Sequence, residues 1–284
     1  SQFEQAQQRF DVGLIAVTDV QEAQAGYDRA VAVEISAQND VENANEALRE
    51  VAGEYYSDLS PLGESMPLAI PEPQNIAAWS ETALQNNLRL NAALVESKIA
   101  HQEIRRQHAQ HFPTIDVIGS HGWREQGGRF GNTSVTQGDI GVELNIPIFE
   151  GGRTASRTRE AEHAHRASLQ RLERTQRQVH RQSREAYLGV ISQISSVKAL
   201  RQAVLSSRTA LESTRAGFEV GTRTAIDVIV AERSLSEAQR DFSRSRYDYI
   251  LETLRLKRAA GSLRPTDIAA ANSWLRAISE ESEN

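Results

Sequence analysis

The sequence predicts a mainly α-helical chain in which long antiparallel coiled-coil helices flank one β-hairpin. Three observations carry this reading. Small and apolar residues recur at alternating steps of three and four from Val20 onward and again from Val228 onward, the seven-residue period of left-handed coiled-coil packing. The phrase Gly217-Phe218-Glu219-Val220-Gly221-Thr222-Arg223-Thr224-Ala225-Ile226-Asp227-Val228 lies between two long helical patterns. Between Thr114 and Ile146 the period drops to two, which is the period of a strand.

The turn phrase organises the rest. Val220-Gly221-Thr222 has room only for a tight turn, and Gly221 accepts a positive φ there without strain. The helices on either side must therefore fold back on each other. Arg9-Phe10-Asp11-Val12-Gly13-Leu14-Ile15-Ala16-Val17-Thr18-Asp19-Val20 repeats the phrase, with Phe10 on Phe218, Gly13 on Gly221, Asp19 on Asp227 and Val20 on Val228. One self-match at a large offset is an internal duplication.

In chain order, residues 1–11 read as the last turns of a helix entering the first tip, so the chain is expected to begin inside a helix with no signal peptide. The core positions of the next helix run Val20, Ala23, Tyr27, Ala30, Glu34, Ala37, Val41, Ala44, Leu48 and Val51, with Glu34 the polar exception. An ordinary helical bundle shares this pattern, but the sustained heptad favours coiled-coil hairpins. Gly53 is placed as a C-cap. Residues 57–75 form a connector containing Pro61, Pro67, Pro71 and Pro73. A helix is expected from about Ile76 to Gln110, with Trp79, Ala83, Leu90 and Leu94 on its apolar side. Pro113 stops it.

A β-hairpin follows over about 113–147. Ile115 and Val117 point one way, and Thr114, Asp116 and Ser120 the other; a Gly-rich loop is expected over 126–138. In the second run Ile140, Val142, Leu144 and Ile146 alternate with Gly141, Glu143 and Asn145. This fits a membrane hairpin, apolar out and polar in, and equally a soluble hairpin with one face on a core. Two strands cannot close a barrel, so the hairpin needs partners. From about Thr154 to Ala216 there is no Pro and Gly189 is the only Gly, which predicts a helix roughly 90 Å long at 1.5 Å per residue. Its many arginines, Arg153 to Arg184, are interleaved with Glu160, Glu162, Glu173 and Glu185 and read as a solvated face. The return helix carries Val228, Ala231, Leu235, Ala238, Phe242, Ser245 and Tyr249 in register and ends near Gly261. A short helical tail, 265–278, precedes an acidic end.

Composition narrows the functional classes. There is no cysteine, which excludes disulfides and thiolate metal sites. A net charge of -6 argues against nucleic-acid binding. No apolar run reaches the roughly 18 residues of a membrane helix. No phosphate loop, Ser-His-Asp cue or zincin motif occurs. His101, His108 and His111 can share a helix face, whereas His163 and His165 point apart; no carboxylate or cysteine completes a ligand set, so no metal or cofactor is expected. Asp116 and Glu143 are explained as polar lumen residues. The chain reads as not an enzyme.

Taken together, Phe10-Asp11-Val12-Gly13-Leu14, Thr18-Asp19-Val20, Gly53-Glu54-Tyr55-Tyr56, Pro113-Thr114-Ile115-Asp116, Ile146-Pro147-Ile148-Phe149-Glu150-Gly151-Gly152 and Gly217 to Val228 resemble the TolC family of outer-membrane efflux proteins. The resemblance implies a homotrimer in the outer membrane of a Gram-negative bacterium. Its long helices would form a periplasmic α-barrel, and its hairpins would contribute to a shared trimeric β-barrel facing outer-membrane lipid. The chain would then divide into the end of a first repeat with its tip and helix (1–56), an equatorial connector (57–75), a second repeat (76–260) and an equatorial tail (261–284). Repeat logic leaves about 130 residues of the first repeat, with its hairpin, unaccounted for.

The implied function is an exit duct of a tripartite efflux pump or type I secretion system for drugs, small molecules or proteins. Its partners would be a periplasmic adaptor (membrane fusion protein) and an inner-membrane pump. A structural coiled-coil adaptor that only bridges the membranes is the competing reading; the duplicated tip and the alternating hairpin are unlike adaptors. By resemblance, Val12, Gly13, Leu14, Val220, Gly221 and Thr222 are adaptor-docking tips. Arg223, Thr18, Asp19 and Gln2 belong to a polar network that holds the entrance shut, and Asp227 adds a carboxylate ring on the pore axis. Phe218 stands where the family has tyrosine, and Val230 where it has a second aspartate.

Overall fold

A computed structural model of the 284-residue chain describes residues 2–13, 16–56, 59–63, 66–129 and 131–276. In order these form α1 (Gln2–Asp11), α2 (Val17–Ala52), α3 (Ile76–Asn86), α4 (Leu88–Ala109), β1 (Thr114–Gly128), β2 (Gly131–Asn145), α5 (Arg153–Glu219), α6 (Ala225–Ala259) and α7 (Pro265–Asn272). Two compact units result, one of Ser1–Thr82 with Gln182–Asn284 and one of Ala83–Arg181. The long helix α5 contributes residues to both.

In the first unit the return helix follows the predicted register. Val228, Ser245, Tyr249 and Leu256 are buried, and Ala231, Leu235, Ala238 and Phe242 are half-buried. Across the seam α5 supplies Val190, Ile194 and Val197, and α3 supplies Trp79. The connector is strapped to this core by polar groups. The Tyr249 hydroxyl accepts from the Ala69 N–H and donates to the Ala69 carbonyl, both at 3.0 Å. The Tyr247 hydroxyl accepts from the Leu62 N–H at 3.3 Å, and Arg246 donates to the Gly63 carbonyl. Leu62 also pairs antiparallel with Leu275, and the Trp79 indole donates to the Pro73 carbonyl at 2.9 Å. A proline-rich segment cannot satisfy its backbone in a ladder, so side chains of α6 and α3 do so.

On α2 the seam is buried at its start. Val20 and Ala23 are buried, but Tyr27, Val41 and Val51 are 49%, 58% and 87% exposed, and Leu48 is half-buried. The heptad names a core-forming stripe, but the described residues bury it fully only beside the tip. Gly53 closes α2 as expected, at φ 77°, with its N–H on the Arg49 carbonyl.

In the second unit, α4 and the first part of α5 meet along small and polar residues. Ser97, Thr154, Ala161 and Ser168 are buried, and His101 touches His165 with ring centroids 5.1 Å apart. The Ser168 hydroxyl bonds back to the His165 carbonyl at 2.7 Å, and the Thr154 hydroxyl donates to the Glu150 carboxylate. They therefore need no partner across the interface.

Four expectations are corrected. The helix expected over 76–110 is two helices, because Asn87 takes an extended conformation and its side chain accepts from Arg89 N and Leu90 N; an Asn N-cap starts a new helix. Leu94, placed on the apolar side, is exposed. Of the Gly-rich stretch 126–138, residues 126–128 and 131–138 are paired strand, not loop: the ladder continues to Gly128↔Gly131, and Thr133, Val135 and Thr136 favour extension over a turn. The helical tail stops at Asn272; Leu275 forms the bridge to Leu62 instead.

The hairpin keeps its predicted faces. Ile115↔Leu144 and Val117↔Val142 pair on one, and Thr114↔Asn145, Asp116↔Glu143 and Ser120↔Asp139 on the other. Every residue of both strands is exposed, so neither face rests on a core. No helix among the described residues is long and apolar enough to cross a membrane.

Tyr249 is buried, and both hydrogen bonds of its hydroxyl lead to Ala69. Tyr249→Phe leaves a donor and an acceptor of the connector unpaired, at about 1–3 kcal/mol. Thermal unfolding of the variant is expected several degrees below wild type, with limited proteolysis cutting first in 57–75. An unchanged melting temperature would show that water replaces the strap.

Candidate functional site: the two tip turns

The polar and turn residues singled out in the sequence converge on two helix–helix tips. At the α5–α6 tip, Gly221 has φ 78°. Its N–H reaches the Phe218 carbonyl (3.1 Å), and the N–H of Thr222 reaches the Gly217 carbonyl (2.8 Å). This pair of bonds is a Schellman closure, which satisfies the last carbonyls of α5 and demands a left-handed residue at its centre. Arg223 N also reaches the Gly217 carbonyl, at 3.2 Å. The Thr222 hydroxyl donates to the same oxygen at 3.0 Å.

The α1–α2 tip opens the same way. Gly13 has φ 74°, and its N–H lies 2.8 Å from the Phe10 carbonyl, the counterpart of the Gly221–Phe218 bond. Val12 and Val220, one residue before each glycine, are 70% and 76% exposed. Each tip thus presents one valine to solvent. Leu14 lies outside the described residues, as do the side chains of Gln2 and Asp19. Thr18 is exposed on the first turn of α2.

Two residues gain roles that the sequence reading missed. A Cβ at Gly217 would stand 2.7 Å from Cγ of Arg223 and 3.2 Å from Oγ1 of Thr222. The absent side chain lets the Arg223 stem lie on the last turn of α5. Thr224 is the N-cap of α6 and forms a reciprocal capping box with Asp227. Its hydroxyl accepts from Asp227 N (3.2 Å) and donates to Asp227 Oδ2 (3.0 Å), while Thr224 N donates to the same Oδ2 (2.9 Å). The spacing Thr-x-x-Asp before a helix was the available signal.

The backbone N–H of Thr224, and after it the hydroxyl, holds the Asp227 carboxyl below the ordinary carboxylate range; burial opposes this, and the Arg223 guanidinium adds a smaller pull. A lowered carboxylate stabilises the cap above the ordinary range, and that contribution fades as pH falls through the folded value. The duplicated tip has no such box. Its N-cap is Ala16, with no side-chain cap bond.

The charge links of the return helix are local: Arg215 meets Glu232 at 2.7 Å across α5 and α6. Phe218 is half-buried and Val230 exposed. The histidines do not gather as one face of α4; His101 meets His165 of α5, and His108 meets His111 and Phe112. Among the described residues no group of three or more His, Asp or Glu is placed to hold a metal ion.

Paired helical hairpins with glycine tips and one uncovered β-hairpin define an outer-membrane channel fold. The outer membrane protein VceC of Vibrio cholerae has it: its crystal structure superposes with a TM-score of 0.70 at 21% identity, covering 91% of this chain and 62% of VceC. Residues 79–262 match the profile of the outer membrane efflux protein family, and the chain belongs to that family. It is 39% identical to the outer membrane protein TolC of Vibrio cholerae serotype O1, over 97% of this chain and 64% of that protein. It is 34% identical to TolC of Escherichia coli K12, over 100% of this chain and 60% of that protein. The chain spans about three fifths of the length of the curated relatives it matches.

Proposed function

We propose that the chain is part of a homotrimeric exit duct in the outer membrane of a Gram-negative bacterium. It extends into the periplasm and serves a tripartite efflux pump or type I secretion system exporting drugs, small molecules or proteins. It is not an enzyme and carries no cofactor. One observation carries this reading: a hairpin exposed on both faces, with Ile115, Val117, Ile140, Val142 and Leu144 on one and Asp116, Asp139 and Glu143 on the other. Such a hairpin is stable only where lipid covers one face and water wets the other, with neighbouring strands on both edges.

The hairpin faces are tested by paired lysines. Val142→Lys at mid-membrane is expected to cost roughly 2–4 kcal/mol and to reduce trimer assembly of the full-length protein, while Glu143→Lys leaves assembly intact. Equal assembly of the two variants would remove the face assignment.

Val12, Gly13, Leu14, Val220, Gly221 and Thr222 form the docking tips for a periplasmic adaptor, itself linked to an inner-membrane pump. Small residues at a coiled-coil tip allow a second coiled coil to approach closely. The space around a Cβ at Gly221 is open, although its φ of 78° strains any side chain there by about 1–2 kcal/mol; Gly221→Trp is expected to leave the trimer assembled on native electrophoresis and abolish efflux. Cysteines at these tips are expected to cross-link to the adaptor in membranes. Surviving efflux without cross-links would end the docking assignment.

Arg223, Thr18, Asp19 and Gln2 form the closing network, with Phe218 and Asp227 beside it. Guanidinium bridges a hydroxyl and a carboxylate together better than an ammonium does. Each link at a hydrated tip contributes only about 0–1 kcal/mol, but threefold symmetry repeats it. An opening partner must favour the open state by a comparable amount. In planar bilayers the full-length trimer is expected to conduct ions, with Arg223→Ala and Asp19→Ala each raising single-channel conductance and the double variant adding less than the sum. Conductance unchanged in both single variants would leave the closed state without these residues; no conductance at all would defeat the duct itself.

A further inference from the structure

The histidines singled out in the sequence take no part in the tips. His101 of α4 and His165 of α5 nonetheless meet across the seam of the second unit, with ring centroids 5.1 Å apart and planes inclined at 57°. His101 is exposed on α4, and His165 is half-buried on α5. Their buried neighbours along the two helices are small: Ser97 one turn before His101, and Ala161 and Ser168 one turn to either side of His165.

One atom of the pair has no role in the packing. Nδ1 of His165 is buried and has no hydrogen-bond partner among the described residues. The Ser168 hydroxyl, one turn on, donates to the His165 carbonyl instead, at 2.7 Å. A buried nitrogen left idle is costly. A neutral imidazole nitrogen has a further use, as a lone pair for a metal ion. The ring spacing suits that use. With about 2.1 Å from ion to nitrogen, two imidazoles at the tetrahedral angle on one ion have ring centres about 5 Å apart. The two rings already stand at that distance, so the helices need not move. Only the last torsion of each side chain must turn a nitrogen inward, and that torsion is soft in histidine.

We propose that His101 and His165 form a two-point binding site for a divalent first-row transition ion, with Nδ1 of His165 as one ligand and a ring nitrogen of His101 as the other. No third His, Asp or Glu is placed to join them among the described residues, so water fills the remaining positions. The ion is therefore exchangeable, unlike one in a closed four-ligand zinc site. It clips α4 to α5 where their seam buries small and polar side chains. Imidazole donors rank the ions with Cu2+ above Ni2+ and Zn2+. Lys98 and Arg105 on α4 and Arg166 on α5 oppose a dication by charge, and Glu162, one turn before His165, offsets them. A second histidine pair provides the comparison. His108 and His111 have ring centroids 5.6 Å apart, but both are exposed and lie on one helix end, with Phe112 against His108.

The test is calorimetric titration of Zn2+ into the full-length trimer after chelation, with electron paramagnetic resonance of bound Cu2+ to count the nitrogen ligands. Wild type is expected to bind one Zn2+ per protomer at this pair. His101→Ala and His165→Gln are each expected to weaken that binding by about tenfold or more, since even partners outside a ligand set cost that much. His108→Ala and His111→Ala are expected to match wild type. The Cu2+ spectrum is expected to show two nitrogens in wild type and one in His101→Ala. His101 is exposed, so His101→Ala keeps the seam and carries the test alone if His165→Gln fails to assemble on native electrophoresis. Wild type that takes up no Zn2+ overturns the inference. So does Zn2+ binding unchanged in His101→Ala or in an assembled His165→Gln, or binding lost in His108→Ala or His111→Ala instead.

Discussion

Small side chains along the helical seams set the terms for everything else in this chain. Where α4 meets α5 the buried positions include Ser97, Thr154, Ala161 and Ser168, and between α3 and α5 the Ser183 hydroxyl reaches that of Ser80 at 3.3 Å. Each such layer removes little apolar surface from water, at about 0.8 kcal/mol per buried methylene. A seam of this kind gains stability through length, and α5 runs for 67 residues. Trp79, Val190, Ile194, Val197, Tyr249 and Leu256 gather in one cluster. That cluster lies where the connector crosses the helices, so the strongest packing also anchors the segment with the weakest backbone pairing.

Turn chemistry then fixes where the helices stop. Gly13, Gly53, Gly221 and Gly261 all adopt positive φ at helix ends, and the closures at Gly221 and Gly261 share the same pair of backbone bonds. These are local constraints, independent of any partner chain. The two tips can therefore keep their shape while the helices behind them shift. Such a device suits the entrance proposed above, because a rigid turn can move as a piece without unfolding.

How much of this was legible in the sequence depended on where each covering partner sits. On α6 the heptad register was right residue by residue, because α5 of the same chain covers it. On α2 the same rule named Tyr27, Val41 and Val51 as core, and they are exposed. The period reports that a stripe will be buried but not by which chain. The faces of the hairpin were legible from alternation alone, whereas its length was not: glycine at Gly127, Gly128, Gly131 and Gly138 looked like loop, and only the cross-strand ladder shows that they are paired. The break at Asn87 had no glycine or proline to announce it, only one side chain able to cap. At the tips, glycine and aspartate were read at once. The Thr224–Asp227 box is carried by the Thr-x-x-Asp spacing alone, a weaker signal than the glycine and the charges beside it.

The exposed stripe on α2 and the two open edges of the hairpin pose one problem with a shared solution. Pairing two copies about a twofold axis joins one hairpin edge to its equivalent and leaves the other two edges open. A head-to-tail arrangement joins the first edge of each copy to the second edge of the next, and only a closed ring leaves none. The exposed α2 stripe, taken by itself, also lacks a cover among the described residues, and a cyclic assembly gives every copy the same neighbour. Open hairpin edges thus favour the duct proposed above over a bridging adaptor, whose coiled coil would leave them unmet.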